Sequence, residues 1–241
     1  MTFLKRISTL PELVHPAKFP FSIPILSNGL NLEFSNNVTF FVGENGSGKS
    51  TILEAIAEGC GFNHSGGNRN HSYSNSDTES SLTSALRFSW MPKVTNGFIM
   101  RAESFYNFAT YIDQIAEEDS SILQGYGGKP LHQQSHGESF LSLFVNHFNR
   151  GIYILDEPEA ALSPNRQLAF LALIHELESS GKAQFIIASH SPILLSYPDA
   201  VILSLDGEKI SQVKVQETEH YRITKDFLEN PDRFFRHLFS E

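Results

Sequence analysis

A single cysteine, Cys60, stands among 241 residues, so no disulfide can close within the chain and a reduced, cytoplasmic setting is expected. No apolar run approaches the roughly 18–20 residues that span a bilayer. The opening stretch MTFLKRISTLPELVHPAKFPF has the early positive charges Lys5 and Arg6 but lacks the apolar region of a signal peptide. No internal repeat is visible, and no heptad pattern is sustained long enough for a coiled coil. Positive charge is scarce: 18 Lys and Arg against 27 Asp and Glu leave a net charge of −9, which argues against gripping nucleic acid through the overall field, though not through a local basic patch. What remains, with 40% hydrophobic and 19% charged residues, is a globular composition. The length suits one domain over 1–241, with room for a sub-lobe.

Residues 30–42 (LNLEFSNNVTFFV) read as two short strands around Ser35-Asn36-Asn37, the second running straight into a glycine-rich loop. Beyond the loop, Ile52, Leu53 and Ile56 recur at helical spacing. Residues 63–81 are almost wholly polar and predict a loop or solvated hairpin; His64 and His71 lie near Cys60, but their spacing fits no zinc pattern. The later part of 98–118 predicts a helix with Phe105, Phe108, Ala109, Ile112 and Ile115 along one stripe. Gly125-Tyr126-Gly127-Gly128 breaks the chain before a second helix over 138–148, so 62–148 is expected to form a polar loop and a helical lobe. From residue 152 the rhythm is strand, helix, strand, which signals a parallel sheet with crossovers. Ile152–Leu155 and Phe185–Ala188 are its buried strands, and Ser163-Pro164 and Gly181 bound the helix between them. A hairpin is expected over 200–213 about Asp206-Gly207, and a last helix over 232–239 carries Phe234, Phe235, Leu238 and Phe239 for core or dimer packing.

Gly43-Glu44-Asn45-Gly46-Ser47-Gly48-Lys49-Ser50 matches a complete phosphate loop, G-x-x-x-x-G-K-[ST]. Its glycines let successive amides converge on phosphate oxygens, and the helix that begins near Lys49 adds its positive end. Gly43, Asn45, Gly46, Ser47, Gly48, Lys49, Ser50 and Thr51 are the expected nucleotide contacts, Lys49 reaching the β- and γ-phosphates and Ser50 binding Mg²⁺. Ile152-Tyr153-Ile154-Leu155-Asp156-Glu157 is a buried strand ending in two carboxylates at the carboxyl edge of the sheet. Asp156 is expected to hold Mg²⁺ and Glu157 to orient and deprotonate the attacking water. His190, in Ala188-Ser189-His190-Ser191-Pro192, also follows a buried strand and is expected to hydrogen-bond the γ-phosphate. Each motif alone has a plainer explanation: a glycine-rich turn, a helix cap at Asp-Glu, a helix start at Ser191-Pro192.

In this order the three motifs resemble the ATPase domains of ABC, RecF and structural-maintenance-of-chromosomes proteins. That resemblance implies an α/β P-loop NTPase, with a mostly parallel sheet flanked by helices, an N-terminal antiparallel part and a helical signature lobe. Ser135-His136-Gly137-Glu138-Ser139 is similar to a degenerate ABC signature, which implies that Ser135 and Gly137 act in trans on ATP held by a second copy. Ala160-Ala161-Leu162-Ser163 is similar to a D-loop. With Phe98–Phe105 and Gln134–Ser139, the run Glu157–Pro164 is closer to the stand-alone bacterial ATPases of the RecF type than to transporter subunits. Glu103 is the candidate for the missing coupling glutamine, and Phe19 or Phe21 for an adenine-stacking aromatic. An ATP-dependent homodimer working on DNA maintenance or defence, with DNA or a protein as partner, is the leading expectation. A transporter's nucleotide-binding subunit and a non-hydrolysing switch are the alternatives.

Overall fold

The protein is seen as a computed structural model that describes residues 2–62, 81–147 and 150–239. His64, His71 and most of the polar stretch lie outside the described residues. In chain order the elements are β1 (Leu4–Thr9), β2 (Asn31–Glu33), β3 (Val38–Val42), α1 (Lys49–Gly59), α2 (Ser81–Ser84), β4 (Leu86–Trp90), β5 (Gly97–Arg101), α3 (Ala102–Glu118) and α4 (His136–His147). They continue with β6 (Gly151–Asp156), α5 (Pro164–Ser179), β7 (Ala183–Ala188), α6 (Pro192–Leu195), β8 (Val201–Ser204), β9 (Ser211–Val213), α7 (Glu219–Glu229) and α8 (Pro231–Leu238).

The main sheet has the order β5-β6-β7-β3-β8-β9, parallel except for β9. Its central strands are buried on both faces, so their side chains divide between two cores. Phe41, Ile152, Ile154 and Ile186 point to a core built with α1 and the N-terminal segment. Val38, Phe40, Val42, Tyr153, Leu155, Phe185 and Ile187 point to the other, filled by Phe140 and Phe144 of α4 and Phe170 and Ile174 of α5. A second, antiparallel sheet has the order β2-β1-β4. The buried Gln184 of β7 joins it to the main sheet: its amide oxygen accepts from the Phe3 and Leu4 backbone nitrogens, each at 2.9 Å, and its amide nitrogen donates to the Leu4 carbonyl.

The fold class matches the sequence reading, with two local differences. The strands read in 30–42 both form, β2 in the antiparallel sheet and β3 in the parallel one, so Ser35-Asn36-Asn37 passes from one sheet to the other. Within 62–148, β4 and β5 are strands, and the helical lobe occupies Ala102–His147. The terminal helix is not part of the core: Leu238 and Phe239 are 69% and 74% exposed, and Phe234 and Phe235 pack instead on Phe227 of α7.

β5 and β6 approach very closely where they begin. Gly97 has φ +137°, and a Cβ there would collide with the Ile152 carbonyl oxygen. Gly97→Ala is therefore expected to destabilise the fold by on the order of 3 kcal/mol, read as a lower midpoint in urea unfolding. An unchanged midpoint would show that the edge strand is not held in this register.

Candidate functional site

Ala188 pairs with Phe41 on one side and Asp156 on the other, so β3, β6 and β7 end at one level. Backbone bonds continue past the strand ends: Glu157 donates to the Ala188 carbonyl at 3.0 Å and Ser189 to the Phe41 carbonyl at 3.2 Å. The three sequence motifs therefore leave the sheet side by side.

The phosphate loop turns through Gly43, Gly46 and Gly48, at φ +151°, +84° and +100°. Gly48 precedes α1, and a side chain there would press on Ile23 and Ile25 of the N-terminal segment. Lys49 is only 5% exposed, and its ammonium donates to the carbonyls of Gly43 and Glu44 at 2.6 and 3.0 Å. Burial lowers its pKa, against the opposing pull of Glu157, Asp156, Asp206 and Glu159. Asp206, read from sequence only as a turn residue, accepts from the Glu44 backbone nitrogen at 2.8 Å and so braces the loop. Asn45, Gly46 and Ser50 face solvent, and Thr51 is half-buried in the first turn of α1.

Asp156 is buried, accepts a hydrogen bond from Ser50 and lies 3.7 Å from Arg101 Nε, while Arg101 also pairs with Glu54. Its Oδ1 has no hydrogen-bond partner among the described residues. A hydroxyl touching a carboxylate that keeps one free oxygen is a donor set that fits Mg²⁺, an ion that takes a few protein oxygens and retains waters. Glu157 sits in the left-handed region (φ 51°, ψ 51°), with its Oε1 3.3 Å from His190 Nε2. His190 donates its backbone N–H to Glu159, and its Nδ1 lies 2.6 Å from His220 Nε2. Burial, then Lys49 and His220, lowers the His190 pKa, and Glu157 opposes them. The helix-start reading of Ser191-Pro192 also holds, because the Ser191 hydroxyl accepts from the Ile193 and Leu194 amides.

Ser135 and Gly137 lie at the start of α4, and among the described residues no hydrogen bond or ion pair ties them to this cluster. Glu138 accepts from the Ser135 hydroxyl at 2.7 Å and from its backbone nitrogen at 3.0 Å, the return half of a helix-capping box, and pairs with Arg166 of α5 at 3.3 Å. A Cβ at Gly137 would come within 2.5 Å of the Arg166 side chain, so Arg166 packs directly over this glycine. Of the two aromatic candidates, Phe21 is core and Phe19 is 72% exposed. Glu103 lies in the first turn of α3, and its side chain falls outside what is described. Sequence reasoning missed Arg101, Glu159, Arg166, Asp206 and His220. Only the Ser135-x-x-Glu138 spacing carried a local signal, that of a capping box.

A family model described as an AAA domain matches residues 21–126, and one described as an AAA domain, putative AbiEii toxin, type IV TA system, matches 130–196. The petrobactin import ATP-binding protein FpuD of Bacillus anthracis is 22% identical over 222 residues, covering 84% of this chain and 80% of the relative. The hemin import ATP-binding protein HmuV of Aliivibrio fischeri is 27% identical over 222 residues, covering 84% of each. In fold, the chain is similar to an ATP-binding cassette of an ABC transporter solved in its ADP conformation, with a TM-score of 0.53, 16% identity and full coverage of both chains. In fold, this chain is an ABC-type P-loop ATPase cassette. Among the described residues, no helix is long and apolar enough to cross a membrane.

Burial raises the Asp156 carboxyl above its ordinary range, so the folded chain holds that proton more tightly than the unfolded chain does. The resulting stability is complete below the ordinary aspartate pKa and is lost as pH rises through the raised value. At about pH 7.5, Asp156→Asn is thus expected to melt higher than wild type without nucleotide, by an increment that shrinks as the pH is lowered. Differential scanning fluorimetry across pH checks this, and a variant less stable than wild type at neutral pH contradicts it.

Proposed function

We propose that this protein binds Mg–ATP and hydrolyses it, and that two copies close around the nucleotide. The supporting observation is the convergence of three loops on one sheet edge, with Asp156, Glu157 and His190 each within electrostatic reach of Lys49. In this reading the amides of Gly46 to Thr51 and the Lys49 ammonium hold the β- and γ-phosphates. Ser50 and Asp156 would hold Mg²⁺, which offsets the phosphate charge when bound. Glu157 aligns a water with the γ-phosphate and takes its proton, while His190 donates to a γ-phosphate oxygen. Ser135 and Gly137 of the second copy close the site. Glu138 and Arg166, which hold Ser135 within its own chain, make that closure a rearrangement. Phe19 is the better adenine platform of the two candidates, being exposed on the segment that leads to Ile23 beside Gly48.

What hydrolysis drives is read from likeness alone. DNA maintenance or defence in the cytoplasm follows from the RecF-type motifs, and the family description over 130–196 is in keeping with defence. A transporter subunit is the second reading, favoured by the two import relatives. Against it, the end of β5 beside Asp156 carries Arg101 rather than a glutamine.

Lys49→Ala is expected to abolish the rise in melting temperature that Mg–ATP gives the wild type. Glu157→Gln should keep that rise, lose turnover by about 100-fold or more, and accumulate as a dimer on size-exclusion chromatography with ATP. Wild-type turnover in Glu157→Gln would remove that residue from the role. Assays with and without duplex DNA separate the two biological readings: stimulation that vanishes in Lys49→Ala supports the DNA role.

A further inference from the structure

The motifs leave one feature of the site unused: His190 has a second imidazole, His220, in hydrogen-bond contact. The two rings are 4.4 Å apart between centroids and inclined at 54°. His220 comes from the first turn of α7, which packs against α6, the short helix that begins just after His190. The approach to α7 is fastened twice. The Glu217 carboxylate accepts from the Lys214 amide at 2.7 Å, and the buried Thr218 hydroxyl donates to the Val215 carbonyl while accepting from the Tyr221 amide. These bonds fix the direction in which His220 enters the site.

The groups facing His190 are Lys49 from the phosphate loop, Glu157 and Glu159 from the segment after β6, and His220 from α7. His190 Nε2 lies 3.3 Å from a Glu157 carboxylate oxygen, in ion-pair range but not aligned as a hydrogen bond, and an acceptor oxygen at that distance favours a proton on Nε2. Burial and the Lys49 charge disfavour the imidazolium form, and a neutral imidazole has one proton to place. With that proton on Nε2, Nδ1 must accept. The group 2.6 Å from Nδ1 must then donate.

We propose that His220 is a positioning residue: its Nε2–H donates to His190 Nδ1, fixing His190 in the tautomer that offers Nε2–H to Glu157 and to the γ-phosphate. The role rests on the ATPase reading above. Its logic is that of a metal-bound or catalytic histidine whose far nitrogen is tied down by an outer partner. It also makes the docking of α7 a condition for an ordered site, although α7 contributes none of the recognised motifs.

The test uses the full chain and two variants. His220→Phe keeps a ring for packing but removes the donor, and His220→Gln restores an amide donor. His220→Phe is expected to lower kcat by on the order of 10-fold with KM for ATP unchanged, and His220→Gln to recover most of that loss. In long-range ¹H–¹⁵N spectra, with the His190 signals assigned by their loss in His190→Gln, the wild type should show His190 protonated on Nε2. The phenylalanine variant should show a mixture of tautomers. Wild-type turnover and a single tautomer in His220→Phe would overturn the proposal. So would equal losses in both variants with the His190 tautomer unchanged, since that pattern marks a packing role only. A wild type without Lys49-dependent turnover defeats the ATPase reading itself and the positioning role with it. Lys49-dependent turnover that stays at the wild-type rate in His220→Phe defeats the positioning role alone.

Discussion

Everything at the site depends on the parallel pairing of β6, β7 and β3. Strands laid side by side in one direction release their loops at one edge, and helix dipoles and free amides gather there. Ala188 is the reference point, with Asp156 on one flank and Phe41 on the other. A slip of one residue in either pairing would turn Asp156 toward the opposite face and break its contact with Ser50. The two cores maintain that register. Alternate residues of each strand are locked into opposite layers, so neither face can shift without exposing large apolar side chains.

The parts of the fold legible in the sequence were those with undisturbed periodicity. The buried strands ending at Asp156 and Ala188, the phosphate loop and the helix after Pro164 could all be read directly, and the structure brings Lys49, Ser50, Asp156, Glu157 and His190 together. β1 was illegible for a physical reason. A register irregularity between Leu4 and Arg6 puts the buried Leu4 and Ile7 three positions apart, which destroys the alternation that marks a strand. β5 was hidden because α3 begins at Ala102 with no loop between, so its apolar residues looked like the approach to a helix. The terminal helix shows the opposite failure. Its aromatic stripe is genuine, but periodicity says only that one face is apolar, not that this chain covers it.

The supporting shell was harder to read than the motifs because long-range contacts create it. Asp206 is 162 positions from the amide it holds, and His220 is 30 from its partner ring. Neither has a local pattern, since an aspartate before glycine is an ordinary turn and a histidine in a helix is an ordinary surface residue. Glu138 is intermediate. Its capping spacing from Ser135 was visible, but the engagement with Arg166 needed the packing of α4 on α5.

The backbone at Glu157 has a consequence for how this chain can change over time. A residue with a Cβ at φ 51° and ψ 51° costs the folded chain about 1–2 kcal/mol relative to glycine in the same conformation. Mutational drift governed by thermal robustness alone would tend to replace this glutamate with glycine, and the carboxylate with it. The most robust descendants of this chain, selected for heat tolerance and nothing else, would be expected to lose the side chain that faces His190.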